Sequence, residues 1–526
     1  MSGVPCLCPC RRGLIVIADM RFSIRNDPAM QLLPFDQSLG LFPLSLSNII
    51  RSENGDEFIG RKTSKCVFAG AALVFSMAGH AWAASAGDRQ TVEASLALAE
   101  KAIALRSVVG PGNQTPQVAQ LFRDALVAGG FSASDIAITP YRDTAYLIAR
   151  WPGRDPSLKP LVISGHMDVV EAKAEDWTHD PFTAKIEKGF LLGRGATDMK
   201  LDDAIAIETL VGLKRAGYRP RRDIIIAFSG DEETAMATGA IIAEKLAGAE
   251  LVLNVDGANG VIDEKTGTPD YFAWEGGEKT YADYRLVVTN PGGHSSEPRP
   301  LNAIAEMAED ILRIQHYRFR PEINDLSRGY LLGAAQWEAA PIAAAMRAFA
   351  AEPTDEAAIE TLSADPSFVG RIGTTCVVTE INGGHALNAL PQRVTANVNC
   401  RIFPGHPRAE ILGELKQAAA DPAMTITDVT EGSVETPASP MRADVVGAIE
   451  HAVHGVYPRV AVFPSLGSGA SDSMWFRSHG VPSYAVSPLF IRNSDSFMHG
   501  LNERTPVASV GPALDILTAM VTELSH

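Results

Sequence analysis

Positive charge is in short supply in this sequence. Its 526 residues include 46 lysines and arginines against 62 aspartates and glutamates, for a formal net charge of −16. Binding of a nucleic-acid backbone requires a basic face, so this balance argues against nucleic acid as a partner. A negative balance also keeps a protein soluble, and solubility is enough to explain it.

Cysteine is also scarce, with six in the whole chain. Three of them form the run Cys6-x-Cys8-x-Cys10, which no fourth metal ligand follows, so we do not interpret it as a metal site. Beyond residue 83 only Cys376 and Cys400 remain. An oxidising compartment permits a disulfide between these two residues, but two positions alone do not establish one.

Long apolar runs are few, and the clearest one lies at Val67–Ala78. It is shorter than the roughly 20 residues that span a bilayer. A basic stretch, Arg61–Lys65, precedes the run and the small-residue sequence Gly79–Ala84 follows it, which is the layout of a secretory signal peptide. We therefore expect a signal peptide at 61–83 and an exported protein, periplasmic or secreted, that begins near Ala84. A buried helix at the start of the fold is the alternative.

The segment upstream of this leader carries no structural pattern. A signal peptide belongs at the N-terminus, yet residues 1–60 precede this one and show no helical or strand period. We interpret 1–60 as a misplaced start or an unstructured extension. In the rest of the chain we find no other stretch long and apolar enough for a transmembrane helix, and we expect no stable membrane insertion. That remainder is long enough for two domains.

Strand-like and helix-like segments alternate before residue 276. Strands are predicted at Ala145–Arg150, Pro160–Ser164, Asp223–Ser229 and Glu250–Val255, and helices at Asp203–Ala216 and Gly239–Leu246. Alternation of this kind is typical of an α/β domain with a mixed, largely parallel sheet flanked by helices. We assign 84–276 to the first part of this domain.

The pattern changes near residue 277. A half-exposed strand is predicted at Tyr281–Thr289 and a helix at about Asn302–Gln315, and two further strands and a helix follow. These units predict a smaller α+β domain at 277–432, inserted as a lid or dimerisation domain, after which 433–526 returns to the α/β domain. Between the small domain's units, the Ala-rich segment 320–370 is helical in pattern and carries no catalytic signal.

Ionisable residues follow three predicted strands and a glycine-rich loop, at the carboxyl ends where open α/β sheets bind ligands. Each one alone is more often a helix cap or a surface charge. Four such features at one sheet edge indicate a metal site, because gathered negative charges repel one another unless a cation compensates them. Imidazole together with carboxylates suits zinc. The four features are His166 with Asp168, Asp231–Glu233, Asp256, and Asp198 in the loop Gly193–Lys200.

Five motifs occur together in this chain: Gly165–Asp168, Gly193–Lys200, Asp231–Glu233, Gly292–Ser296 and a late His499. In this order and spacing the chain beyond residue 84 resembles the zinc-dependent aminoacylase, glutamate carboxypeptidase and succinyl-diaminopimelate desuccinylase peptidases. The Gly-His-Ser-Ser-x-Pro form of the fourth motif is similar to that of carboxypeptidase S and the N-fatty-acyl amino acid hydrolases.

The resemblance implies two zinc ions, for which cobalt or manganese would also serve. His166 and Asp256 would hold one ion, Glu233 and His499 would hold the other, and Asp198 would bridge them.

The resemblance also implies how the site would react. Asp168 would orient the His166 imidazole. Glu232 would act as the general base, taking a proton from the attacking water and returning it to the leaving nitrogen.

The small domain would supply three more residues. The resemblance implies that His294 stabilises the oxyanion, in several relatives from the partner subunit of a homodimer formed through the lid. The alternative is that His294 is a turn residue with no catalytic role. Asn388 and Arg401 would hold the substrate, since a guanidinium suits a free carboxylate. A surface salt bridge is an equal alternative for Arg401.

These features predict an exported di-zinc hydrolase of the amide bond in small peptides or N-acyl amino acids. The sequence does not separate a peptidase from a deacylase, because both use the same machinery on a substrate with a free carboxylate. A dinuclear phosphoesterase would need more basic residues, and an inactive binding protein would have lost Glu232 or a ligand.

Overall fold

The computed structural model describes residues 87–526. The N-terminal extension predicted at 1–60 and the signal peptide predicted at 61–83 lie outside the described residues. Both therefore stay predictions.

The strands of the described chain are short, and most have two to seven residues. In chain order they are β1 (Ile136–Tyr141), β2 (Thr144–Trp151), β3 (Leu161–His166), β4 (Lys185–Glu187), β5 (Phe190–Leu192), β6 (Ile224–Ser229), β7 (Leu251–Asn254), β8 (Gly260–Ile262), β9 (Pro269–Glu278), β10 (Thr280–Thr289), β11 (Gly293–His294), β12 (Thr375–Gly383), β13 (Ala389–Leu390), β14 (Arg393–Ile402), β15 (Thr425–Asp428), β16 (Ala461–Gly467), β17 (Ser483–Ala485), β18 (Phe490–Ile491) and β19 (Arg504–Pro506).

The α-helices separate these strands along the chain. In order they are α1 (Arg89–Ile103), α2 (Thr115–Ala128), α3 (Lys200–Arg215), α4 (Ala237–Lys245), α5 (Ala303–His316), α6 (Asp325–Ala334), α7 (Ala340–Ala351), α8 (Glu356–Ser363), α9 (Pro366–Val369), α10 (Arg408–Ala419), α11 (Ala443–Val456), α12 (Ser473–Ser478) and α13 (Val510–Leu524).

The large sheet has the order β1-β2-β6-β3-β7-β17-β9-β8-β18, and β16 pairs with β9. The central strands β6, β3, β7 and β17 are parallel, as are the pairs β16–β9 and β18–β8. Antiparallel pairing joins β1 to β2, β2 to β6 and β8 to β9. The prediction of a mixed, largely parallel sheet is confirmed.

Both faces of this sheet are covered, which explains the continuous apolar runs of its central strands. In β6, Ile224, Ile226 and Phe228 pack under α1, α2, α3, α11 and α13. The intervening Ile225 and Ala227 pack under α4 and α12 on the opposite face. The period-two alternation of a strand thus feeds two separate cores.

The last helix corrects one expectation. By length and composition alone, Val507–Leu524 could cross a membrane. The sequence analysis predicts no transmembrane helix beyond the leader. In the structure 56% of this segment is buried, and α13 packs against α3 and α11 in the main core. The apolar residues of this helix are therefore explained by its packing in the protein core.

The inserted domain is a four-stranded antiparallel sheet of order β12-β14-β10-β15. Helices α5 and α10 cover one face, and the core between them includes Tyr284, Leu286 and Val398. A disulfide joins Cys376 on β12 to Cys400 on β14, directly across the ladder. The predicted small α+β domain is confirmed, while the domain boundaries at 276, 277, 432 and 433 stay predictions.

The segment 320–370 packs on the large sheet, although the flanking chain belongs to the small domain. Helices α6 to α9 form a separate core with Ala273 of β9 and Phe463 of β16. A Cβ atom at Gly333 would lie 2.4 Å from the Phe463 ring, so this approach of α6 to β16 requires glycine. These helices extend the wall of the large domain.

Candidate metal centre and active site

Three neighbouring strands deliver ionisable residues to one edge of the large sheet. Strand β3 lies between β6 and β7 and runs parallel to both. Its last residue is His166, while Glu233 follows β6 and Asp256 follows β7. These carboxyl ends meet, as the strand order of parallel sheets requires.

Asp198 lies between two imidazoles. Its Oδ1 atom is 3.1 Å from Nε2 of His166, and its Oδ2 atom is 3.2 Å from Nε2 of His499. The same His499 nitrogen is 2.9 Å from Oε2 of Glu233. Ligand atoms of His166, Asp198 and Glu233 all lie within 4.8 Å of one another. A carboxylate that uses one oxygen for each imidazole has the arrangement of a bridging ligand.

The electrostatics of this cluster call for a cation. Burial raises the pKa of Asp256 to about 7, and nearby Asp198 and Glu233 add to the rise. Burial also raises the pKa of Glu233, whose Oε1 atom is enclosed without a hydrogen-bond partner among the described residues. A divalent metal would satisfy that oxygen and neutralise the carboxylates, so the donor set fits the predicted ions.

Asp168 positions two backbone segments. Nδ1 of His166 donates its N–H to the backbone carbonyl of Asp168 at 3.0 Å, and Nε2, the nitrogen that would bind a metal, faces Asp198. The Asp168 carboxylate accepts hydrogen bonds from the backbone N–H groups of Glu232 and Glu233, each at 3.1 Å. The predicted orientation of His166 therefore comes mainly from the carbonyl, and the carboxylate fixes the two glutamates.

Glu503 was not among the predicted site residues, and it holds the loop that carries Asp198. Glu503 is fully buried, and its Oε2 atom accepts from Arg194 Nη1 at 2.6 Å and from Gly195 N at 3.1 Å. Its Oε1 atom accepts from the backbone N–H groups of Thr197, at 2.6 Å, and Asp198, at 2.9 Å. The only available signal was an arginine inside a glycine-rich loop, which needs a partner when buried.

A cleft of about 990 Å³ separates the metal cluster from the small sheet. Its floor includes Glu232, and the facing wall includes Arg401. The Arg401 guanidinium lies over the Tyr281 ring, 4.8 Å from its centroid, and makes no ion pair within the described residues. The salt-bridge alternative for Arg401 thus finds no partner.

His294 and Asn388 lie elsewhere. They occupy the short ribbon of β11 and β13, where the N–H of Ser295 donates to the backbone carbonyl of Asn388 at 3.1 Å. Both residues are exposed, and neither lines the cleft of its own chain. The structure brings these two predicted residues to each other and leaves them away from the metal cluster.

The cleft wall contains further residues that the sequence analysis did not single out: Tyr281, Asp283, Arg285, Asn397 and Asn399. They alternate with apolar residues along β10 and β14. That alternation was visible in Tyr281–Thr289, but the sequence alone did not reveal what the polar face meets.

A set of imidazoles and carboxylates at the carboxyl edge of a mixed sheet, with Glu232 beside it free of side-chain hydrogen bonds to the described residues, defines a metal-dependent hydrolase. Residues 162–523 match the family model described as peptidase family M20/M25/M40. Because the match covers most of the chain, the protein belongs to that family, and the sequence resemblance is confirmed.

Individual relatives agree with this assignment. Over 381 residues the chain is 26% identical to a probable carboxypeptidase S-like 2 of Dictyostelium discoideum, covering 70% of this chain and 72% of that protein. It is 28% identical over 373 residues to the Mus musculus N-fatty-acyl-amino acid synthase/hydrolase PM20D1, covering 68% and 72%. Among solved structures, the M20 family metallo-carboxypeptidase Sso-CP2 from Sulfolobus solfataricus superposes with a TM-score of 0.62 at 18% identity, covering 81% of this chain and 98% of that one.

The contacts of Glu503 predict a role in metal affinity. Glu503→Gln keeps the side chain's shape but removes the charge that faces Arg194 and the loop N–H groups. We expect zinc affinity, measured by competition with a chelator, to fall roughly 10- to 100-fold. Glu523→Gln, a change on partly exposed α13, is the control and should leave affinity unchanged. Unaltered affinity in a folded Glu503→Gln protein would refute the role.

Proposed function

We propose that this protein is a di-zinc hydrolase that cleaves the amide bond of a small peptide or N-acyl amino acid bearing a free carboxylate. The observation that carries the proposal is the position of Asp198 between His166 and His499. Glu232 lies in the same cleft and is hydrogen-bonded to neither histidine. His166 and Asp256 would hold one ion, and Glu233 and His499 would hold the other. Two bound zinc ions would polarise the substrate carbonyl and lower the pKa of a shared water.

Glu232 is suited to move the proton. It lies on the cleft floor, and the hydrogen bond from its backbone N–H to Asp168 holds it in place. Burial raises its pKa well above the usual range, and neighbouring carboxylates, among them Asp256, contribute. A base with a raised pKa accepts a proton from the attacking water near neutral pH and can return it to the leaving nitrogen.

Arg401 is suited to recognise the substrate carboxylate. It faces the cleft without an ion pair among the described residues, and its stacking on Tyr281 restrains the plane of the guanidinium. A planar guanidinium donates two parallel hydrogen bonds to a carboxylate. This requirement for a free carboxylate is shared by peptides and N-acyl amino acids.

Glu232→Gln tests the proposed general base. Removing the general base should lower kcat on dipeptides and N-acyl amino acids by roughly 10²- to 10⁴-fold. Metal content, measured by atomic emission, should remain near two ions per chain because the proposed ligands are unchanged. Glu244→Gln, on the exposed face of α4, is the matched control. Full activity in Glu232→Gln, or failure of the wild-type protein to bind metal, would remove the proposal.

A second proposal concerns a homodimer formed through the lid. His294 and Asn388 are exposed and do not reach the cleft of their own chain, while the edge strand β12 presents Val377 and Ile381 to solvent. In a two-fold dimer each chain would supply its His294 to the other's cleft to stabilise the oxyanion.

Mixing two inactive variants tests this dimer. His294→Ala and Glu232→Gln chains, denatured and refolded together, should regain about a quarter of wild-type activity, because half of the random dimers carry one complete site. Each variant refolded alone is the control. A monomer in sedimentation, or no recovery on mixing, would contradict the proposal.

Export is proposed as well. The disulfide between Cys376 and Cys400 supports it, since such bonds persist in oxidising compartments. If the full chain is expressed in a bacterium, N-terminal sequencing should find a mature protein in the periplasm or medium that begins near Ala84. A cytoplasmic protein that retains residues 61–83 would exclude export.

A further inference from the structure

The cleft wall opposite the metal cluster is built from cross-strand pairs of polar residues. In the register of β10 and β14, Tyr281 lies opposite Arg401, Asp283 opposite Asn399, and Arg285 opposite Asn397. All six line the cleft. We call this set the polar ladder: Tyr281, Asp283, Arg285, Asn397, Asn399 and Arg401.

The core of the small domain holds the polar ladder toward the cleft. The residues between its members, including Ala282, Tyr284 and Val398, are fully buried against α5 and α10. A shift of one residue would turn this apolar set outward, so the buried face fixes the register. The wall therefore keeps its polar character in the folded protein.

Asp283 organises the middle of the ladder. Its carboxylate accepts hydrogen bonds from the Tyr281 hydroxyl, from Asn397 Nδ2 at 2.8 Å and from Asn399 Nδ2 at 3.0 Å. Asn397 also donates to Thr379 Oγ1 at 3.0 Å. These bonds hold the side-chain amides of Asn397 and Asn399 in place. Their Oδ1 atoms remain available to accept hydrogen bonds from a substrate.

The rest of the lining has few large apolar side chains. From Arg401 to Asn397 the ladder extends about 13 Å along β14, and Glu380 and Glu431 lie beside it. Larger aliphatic side chains in the described lining are limited to Met236 and Val429. An alkyl chain laid along this wall would cover charged and amide groups without replacing their hydrogen bonds to water, which is unfavourable.

We infer that the polar ladder selects hydrophilic substrates, namely short peptides, and excludes N-acyl amino acids with long alkyl chains. This inference rests on the proposed amide hydrolysis and names its substrate class. Arg401 takes the free carboxylate, and the amides of Asn397 and Asn399 pair with polar groups along the remainder of the peptide. The relatives leave the choice open, since one is named a carboxypeptidase and another an N-fatty-acyl-amino acid hydrolase.

Three substrates with the same leaving amino acid test the inference: seryl-leucine, N-acetyl-leucine and N-decanoyl-leucine. With zinc-loaded protein we expect kcat/KM for seryl-leucine to exceed that for N-decanoyl-leucine at least 100-fold. An equal or higher value for N-decanoyl-leucine would overturn the substrate class and leave amide hydrolysis intact. No turnover of any of the three by metal-loaded protein would overturn both.

Substitutions in the polar ladder test the same inference. Asn399→Leu should shift the ratio of the two kcat/KM values at least 10-fold toward N-decanoyl-leucine, and Arg285→Leu should shift it in the same direction. Arg285 is exposed, so its replacement does not threaten the core. Thr395→Leu is the matched control, because Thr395 lies on the same strand and face but outside the cleft lining. An unchanged ratio in both ladder variants would overturn the inference.

Discussion

The buried carboxylate of Glu503 is the contact on which the metal site depends. Its two oxygens each accept two hydrogen bonds from the loop that contains Arg194 and Asp198, across about 300 positions of sequence. Arg194 donates in turn to the carbonyl of Gly500, beside His499. A buried ion pair is tolerated when hydrogen bonds satisfy most of its polar atoms. Both oxygens of Glu503 are satisfied here, while Nε of Arg194 is buried without a partner among the described residues. The spacing of Asp198 and His499 follows from this contact.

The two sheets divide the chemistry between them. The large sheet can gather like charges because parallel strands end at a common edge, and such a cluster is stable only with a cation. The small sheet has one buried face and one solvated face, so it offers polar side chains at every second position. The cleft lies where these two kinds of surface face each other, with Glu232 on one side and Arg401 on the other.

Prediction from sequence succeeded where the signal was local. Strands β3, β6 and β7 lie within about two residues of their predicted bounds, because strands buried on both faces appear as continuous apolar runs. Strands β1 and β9 were not predicted; β9 contains Gly276 and Gly277, which weaken a strand pattern. The helical pattern of 320–370 was also correct, but its packing on β9 and β16 depends on contacts distant in sequence.

The sequence by itself determined the family, the α/β architecture and the candidate ligands, because those ligands follow strands or a glycine-rich loop within a few residues. Only the tertiary structure decided the partners of Glu503 and the pairing of Cys376 with Cys400. It also decided that the polar ladder faces the cleft and that His294 lies away from the cleft of its own chain. Each of these depends on which strands become neighbours and on how their register is set. Such pairings join residues far apart in the chain, and no local periodicity encodes them.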